Sequence, residues 1–120
     1  MNDFFAPSIP AEAIISNRLR IEKVKGDGMA PDLRPNWDMI IIRPIDRYVG
    51  EGLYSIDNGV GPDIYRVQNI LGGRLLIKHD NPIYTHSFTM TKDEFEAAVL
   101  GFVVADVKVR DERMLMEAVR

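Results

Sequence analysis

Apolar residues fall along this chain in short runs divided by turn residues, with few long helical stripes. Leu19 and Ile21 alternate with charged residues ahead of Gly26, which predicts a strand running into a flexible Gly26-Asp27-Gly28 stretch. Met39-Ile40-Ile41-Ile42 is a β-branched run of the kind a buried strand needs, opened by the Pro35-Asn36 turn and ended by Pro44. Residues 53–56 and 64–70 predict two more strands, separated by the Asp57-Asn58-Gly59 turn. Leu71-Gly72-Gly73 reads as a hairpin turn returning through residues 74–78, and Asp80-Asn81-Pro82 as another turn. Thr91-Lys92-Asp93-Glu94 fits a capping box, so a helical turn is expected over 92–98. Residues 99–109 then read as a long strand with a bulge at Gly101, and Asp111 as the cap of a short C-terminal helix with Met114, Leu115, Ala118 and Val119 on one side. The pattern predicts a mostly β, barrel-like domain.

Composition narrows the class. The chain has 120 residues, about one domain, and at 46% hydrophobic it can bury a core. Residues 1–17, with Pro7 and Pro10, read as an arm or linker carrying one helical turn near 11–16, and residues 18–120 as the domain. Fifteen Lys and Arg against 18 Asp and Glu leave a formal charge of −3, which argues against this chain gripping nucleic acid by itself. It has no cysteine, hence no disulfide and no thiolate metal site. No apolar run approaches a membrane span, and the N-terminus lacks the pattern of a signal peptide, so a cytoplasmic protein is expected.

One ordered series of segments carries more. Val24-Lys25-Gly26-Asp27-Gly28-Met29-Ala30-Pro31-Asp32-Leu33 resembles the nucleophile segment of the LexA-like self-cleaving serine–lysine peptidases and phage repressor C-terminal domains, whose pattern is about V-x-G-D-S-M-x-P-T-L. Asp38-Met39-Ile40-Ile41-Ile42 stands where that family has G-D and an apolar strand, after an interval one residue longer than usual, with Asn36-Trp37 in place of the Gly. Gly52-Leu53-Tyr54-Ser55-Ile56 and Ile64-Tyr65-Arg66-Val67 resemble its next two strands, the second being the one that carries the catalytic Lys. Gly72-Gly73-Arg74-Leu75-Leu76-Ile77, Asp80-Asn81-Pro82-Ile83-Tyr84 and Val99-Leu100-Gly101-Phe102-Val103-Val104 resemble the segments that follow. The resemblance covers about residues 19–109. It implies a signal-peptidase-like β-barrel or β-clip domain, with the hairpin 64–78 at its centre and Gly28 beside Arg66.

The departures from the family are chemical. Gly28 stands at the family's Ser and has no side chain to form an acyl-enzyme. Arg66 stands at the Lys that must lose its proton to act as base, and a guanidinium stays protonated. Upstream of Gly26 no Ala-Gly or Cys-Gly bond exists to be cut. The resemblance therefore implies a pseudoenzyme without cofactor or metal, whose degenerate substrate groove comprises Asp27, Gly28, Met29, Pro31 and Arg66. It implies the homodimerisation domain of a repressor-like transcriptional regulator of phage or prophage type, meeting DNA only through a separate helix-turn-helix domain. Val103, Val107, Met114 and Leu115 are the expected dimer contacts, on an exposed edge at 99–109 and a C-terminal apolar strip.

Plainer readings compete at each position. Gly28 can be a turn glycine in an unrelated β domain, and Arg66 a solvated or paired charge. His79 and His86 are too few for a metal site, which needs three or four converging ligands. Ser55 beside Asp57 reads as a strand running into a turn, and Lys78 has no nucleophile near it in sequence. Trp37 reads as local packing before contact anchor. Two other functions keep the same resemblance: an accessory subunit of translesion-polymerase type, and a divergent, still active self-cleaving peptidase.

Overall fold

The computed structural model describes residues 8–119. The first of these form an exposed stretch with a 3-10 turn at Ala11–Ile15, inside the expected arm; residues 1–7 of that arm lie outside the described residues. Strands follow wherever β-branched or alternating residues are bounded by turns: β1 (Arg20–Lys23), β2 (Asp38–Pro44), β3 (Gly52–Asp57), β4 (Pro62–Ile70) and β5 (Arg74–Lys78). Next come β6 (Ser87–Thr91), helix α1 (Lys92–Ala98), β7 (Val99–Lys108) and helix α2 (Glu112–Glu117). Both helices start where the sequence places a cap. The Thr91 hydroxyl accepts from the Glu94 N–H while Glu94 accepts from the Thr91 N–H, and the Asp111 carboxylate accepts from Met114 N–H.

All seven strands join one antiparallel sheet in the order β1-β2-β7-β3-β4-β5-β6. The expected barrel is not closed: β1 and β6 end the sheet on opposite sides, and closure would require those two to hydrogen-bond. Nor is the β4–β5 hairpin central. β3 takes that place, because the last strand in sequence, β7, inserts between β2 and β3. The 99–109 segment is therefore no outer edge strand. It pairs with β3 between Val99 and Phe102 and with β2 from Gly101 to Lys108, so both sides are filled at Gly101 and Phe102, and beyond Phe102 it pairs with β2 alone.

Serving two strands costs β7 its regularity. Its register skips Leu100 against β3 and Val104 against β2, so the bulge expected at Gly101 has its extra residue one position earlier and a second bulge follows. Both skipped side chains are exposed, which accounts for two apolar residues on the surface. Gly101 itself is needed for close approach: a Cβ there would lie 2.3 Å from the Ile42 side chain and 3.0 Å from the Arg43 carbonyl oxygen.

Two apolar clusters flank β7. The first gathers Tyr54, Ile56, Tyr65, Val67, Leu75, Ile77, Phe95 and Val99 beneath β3, β4, β5 and α1. Tyr54 is fully buried with its ring edge-on to Phe95 and Phe102, and its hydroxyl is satisfied, donating to Gly50 O (2.6 Å) and accepting from Val49 N–H (2.9 Å). The second cluster gathers Val24, Met29, Leu33, Ile40 and Ile42, with Val103 packed on it from β7. No helix among the described residues is long and apolar enough to cross a membrane.

Asp38, at the head of β2, ties this second cluster to the end of β7. Its fully buried carboxylate accepts from Arg34 N–H (2.8 Å) and the Arg34 guanidinium (2.9 Å), and from Lys108 Nζ (2.9 Å). Lys108 also donates to the Asp32 carbonyl oxygen. The hydrogen bonds from Arg34 hold the Asp38 carboxyl well below the ordinary carboxylate value of 3.8, and Lys108 adds to them. A carboxylate with a depressed folded pKa contributes stability at pH above its unfolded value and loses it as pH falls below. Stability should thus be flat at neutral pH and decline below about pH 4. Asp38→Asn should lower the melting temperature at pH 7 and flatten the acid limb, a difference readable by thermal denaturation at several pH values.

Candidate functional site

The residues singled out by the sequence gather around the turn between β5 and β6. Gly28 lies in the turns that follow β1, where Ala30 N–H donates to Asp27 O and Leu33 N–H to Met29 O. Asn81 clamps this segment from the far side. Its backbone N–H donates to Gly28 O (2.8 Å), and its side-chain amide donates to Asp27 O (2.8 Å). Asp80, the preceding residue, holds Arg66 on β4: both Arg66 Nε and Nη2 reach its carboxylate at 2.7 Å. Gly28 and Arg66 are therefore tied to consecutive residues of one turn. The hydrogen bonds that Arg66 donates to Asp80, and the charge of that carboxylate, push the guanidinium above its already high ordinary value, so it is a fixed cation.

His79 completes the arrangement, a residue that sequence reasoning weighed only as a weak metal ligand. Its ring stacks on Tyr65 (centroids 4.6 Å apart), tilts against Tyr84 (5.4 Å) and lies 3.2 Å from an Asp63 carboxylate oxygen. It also lies over Gly28. A Cβ built there would come within 2.4 Å of His79 Cδ2 and 2.9 Å of Cγ, atoms near the root of the side chain that cannot simply swing aside. The imidazole thus fills the room a side chain at position 28 would need. Tyr84 closes the rim by donating its hydroxyl to the Asp27 carboxylate (2.5 Å); that acceptor and burial push the Tyr84 phenol up.

The other expected groove residues divide. Met29 is buried in the second cluster, so it is first of all a core residue, whereas Pro31 is exposed beyond the turn. Between Val24, Gly26, Gly28, Met29 and Asp63 lies a crevice of about 60 Å³ that reaches Ser55, whose buried hydroxyl has no hydrogen-bond partner among the described residues. Lys78, which had no nucleophile near it in sequence, faces Ser87 across the β5–β6 ladder, and no hydrogen bond joins them among the described residues. His86 lies in the exposed segment before β6, and no group of three or more acidic or histidine side chains among the described residues is placed to hold a metal.

The expected dimer contacts divide too. Val103 and Val107 are half-buried on β7, and Val103 already packs on the second cluster. Met114 and Leu115 are exposed on α2, a helix that buries none of its residues. Leu115 and Met116 form one wall of a groove of about 480 Å³ whose other wall is Trp37, Met39 and Val109. Trp37 is 50% exposed, so it is not the local core plug expected of it. The turn before it has Asn36 at φ 67°, a left-handed residue that leaves the indole on the surface while Asp38 turns in.

No protein-family model matches the chain, and a search of curated proteins returns no match.

The contact between position 28 and His79 is testable as a coupling. Gly28→Ala in the native chain should destabilise it by about 1–3 kcal/mol, the usual cost of forcing atoms into a filled site. On a His79→Ala background the same substitution should cost far less. Urea unfolding of the four variants measures the difference, and additive effects would rule out the contact.

Proposed function

We propose that this chain is a catalytically inactive counterpart of the LexA-like serine–lysine peptidase domains, acting as the self-associating module of a repressor-like regulator. The observation that carries the reading is the fate of the two positions where the resemblance implies a dyad. At Gly28 there is no nucleophile and no space for one, because His79 occupies it. At Arg66 there is no base, because the guanidinium is bound bidentately by Asp80. Acyl transfer needs a nucleophile whose proton a neighbouring group can accept, and neither role is filled. The surrounding turn is nevertheless firmly built, with Asn81, Asp80 and Tyr84 all bonded across it. A scaffold of this kind suits a binding role better than a catalytic one.

Self-association draws support from the C-terminal end. Beyond Phe102, β7 offers a second edge that no strand among the described residues pairs, and α2 follows with Met114, Leu115 and Met116 each about half exposed. An open edge beside an apolar strip is a surface that a second copy can cover in two-fold fashion. DNA contact would then fall to a separate helix-turn-helix domain, because the net charge of −3 gives this chain no electrostatic hold on phosphate.

Two experiments test the reading. Intact-mass analysis after prolonged incubation at alkaline pH should find the chain uncut, and Gly28→Ser with Arg66→Lys should remain uncut while His79 is in place. Specific fragments from the unmodified chain, abolished by replacing another Ser or Thr, would refute the inactive assignment. Sedimentation at micromolar protein should find self-association, and Met114→Glu with Leu115→Glu should weaken the contact made through α2 at least about tenfold by leaving charges in an apolar interface.

A further inference from the structure

The two outer strands of the sheet are built differently. β1 presents Arg20, Glu22 and Lys23, the charged edge that folded proteins use to discourage pairing with another strand. β6 reads Ser87-Phe88-Thr89-Met90-Thr91 and carries no charge and no proline. Its core-facing residues are poorly covered. Phe88 lies opposite Ile77 and edge-on to Tyr65, yet is 49% exposed, and Met90 lies opposite Leu75, only partly buried. Among the described residues the first apolar cluster thus ends at β6, with Phe88 half exposed and Met90 only partly covered.

We infer that the free edge of β6 pairs with β6 of a second copy, antiparallel and centred on Thr89. The sequence of the strand is complementary to itself about that residue. Reversed against its copy, Phe88 meets Met90, Thr89 meets Thr89 and Ser87 meets Thr91. Every opposed pair is then apolar with apolar or hydroxyl with hydroxyl, and no like charges face each other. The backbone agrees. Thr91 N–H donates to Glu94 and not to β5, so by strand alternation the N–H and C=O of Thr89 and Ser87 point to the free side. Thr89 can then exchange both of its hydrogen bonds with its copy across the two-fold axis, while each Phe88 and Met90 covers its counterpart. In the sheet β3, β4 and β5 separate this edge from β7, so it is distinct from the association proposed above and stands or falls without it.

A cysteine-free chain makes the test direct. Thr89 is exposed, its hydroxyl accepting from Arg74, and a two-fold axis through it brings the paired Cα atoms to about 5.5 Å, within reach of a disulfide. Thr89→Cys in the full chain, carrying Met114→Glu and Leu115→Glu to remove the α2 contact, should oxidise to a covalent dimer. It should do so at least about tenfold faster than Leu71→Cys, which is 97% exposed in the β4–β5 turn and reports random collision. Thr89→Lys in the same background should convert any sedimenting dimer to monomer, because it sets two ammonium groups opposite each other, while leaving the thermal transition in place. Equal oxidation rates at positions 89 and 71, or a monomer before Thr89→Lys is introduced, would overturn the inference. If the α2 variants alone abolish all dimer, the β6 edge is not a pairing surface. If they leave a dimer that Thr89→Lys dissolves, it is.

Discussion

The pairing of β7 with both β2 and β3 is the constraint on which this fold depends. Without it the sheet would divide into a β1–β2 ribbon and a β3–β6 meander, each with an open side. β7 closes both, contributing Val99 to one cluster and Val103 to the other. Its two bulges follow from that double duty, since they let a single strand keep apolar residues towards each neighbour while Leu100 and Val104 are expelled to the surface. Gly101 pairs with both β2 and β3, and the Ile42 methyl and Arg43 carbonyl occupy the space of its missing side chain. The Asp38–Lys108 pair then fixes the far end of the β2–β7 ladder.

How much of this could be read from the sequence follows physical lines. The strands with β-branched runs between strong turns, β2 to β5, were legible nearly to the residue, as were both helix caps, because local side-chain chemistry dictates them. β6 was not. Ser87 to Thr91 lies at an edge with mostly exposed residues, so its alternation is set by a partner strand and not by burial. The strand order was also out of reach: placing the last strand between the second and third is a long-range choice with no local signature. For the same reason the sheet was expected to close and β7 to lie at an edge. Trp37 was misjudged because a left-handed Asn36 decides which side of the turn faces in, and only Asp38 with its Arg34 and Lys108 partners explains why the carboxylate won that place.

At the candidate site the sequence named the positions but not their neighbours. Asp27, Gly28, Arg66, Asp80, Asn81 and Tyr84 were all in view as parts of separate segments, and the turn between β5 and β6 brings them together. His79 was the residue missed. Its only local signals were its place next to that turn and the absence of any partner for a metal. Its role depends on Tyr65 beneath it, Asp63 beside it and a glycine opposite, three residues that are remote from it in sequence.

That packing changes what loss of catalysis means on the reading proposed here. If Gly28 merely lacked a hydroxyl, one substitution would restore the nucleophile and a second, at Arg66, the base. The filled space makes the changes interdependent. A side chain at 28 and the imidazole at 79 exclude each other, and moving His79 would uncover Tyr65 and take from Asp63 one of its two partners. Arg66 is bound in the same way, since replacing it leaves Asp80 half-buried without its bidentate cation. Each step back towards a working dyad therefore costs packing or ion pairing before chemistry can repay it. A site so arranged is stable as a structural joint between the β1–β2 turns and the β4–β5 hairpin, and holding those segments together is what its residues visibly do.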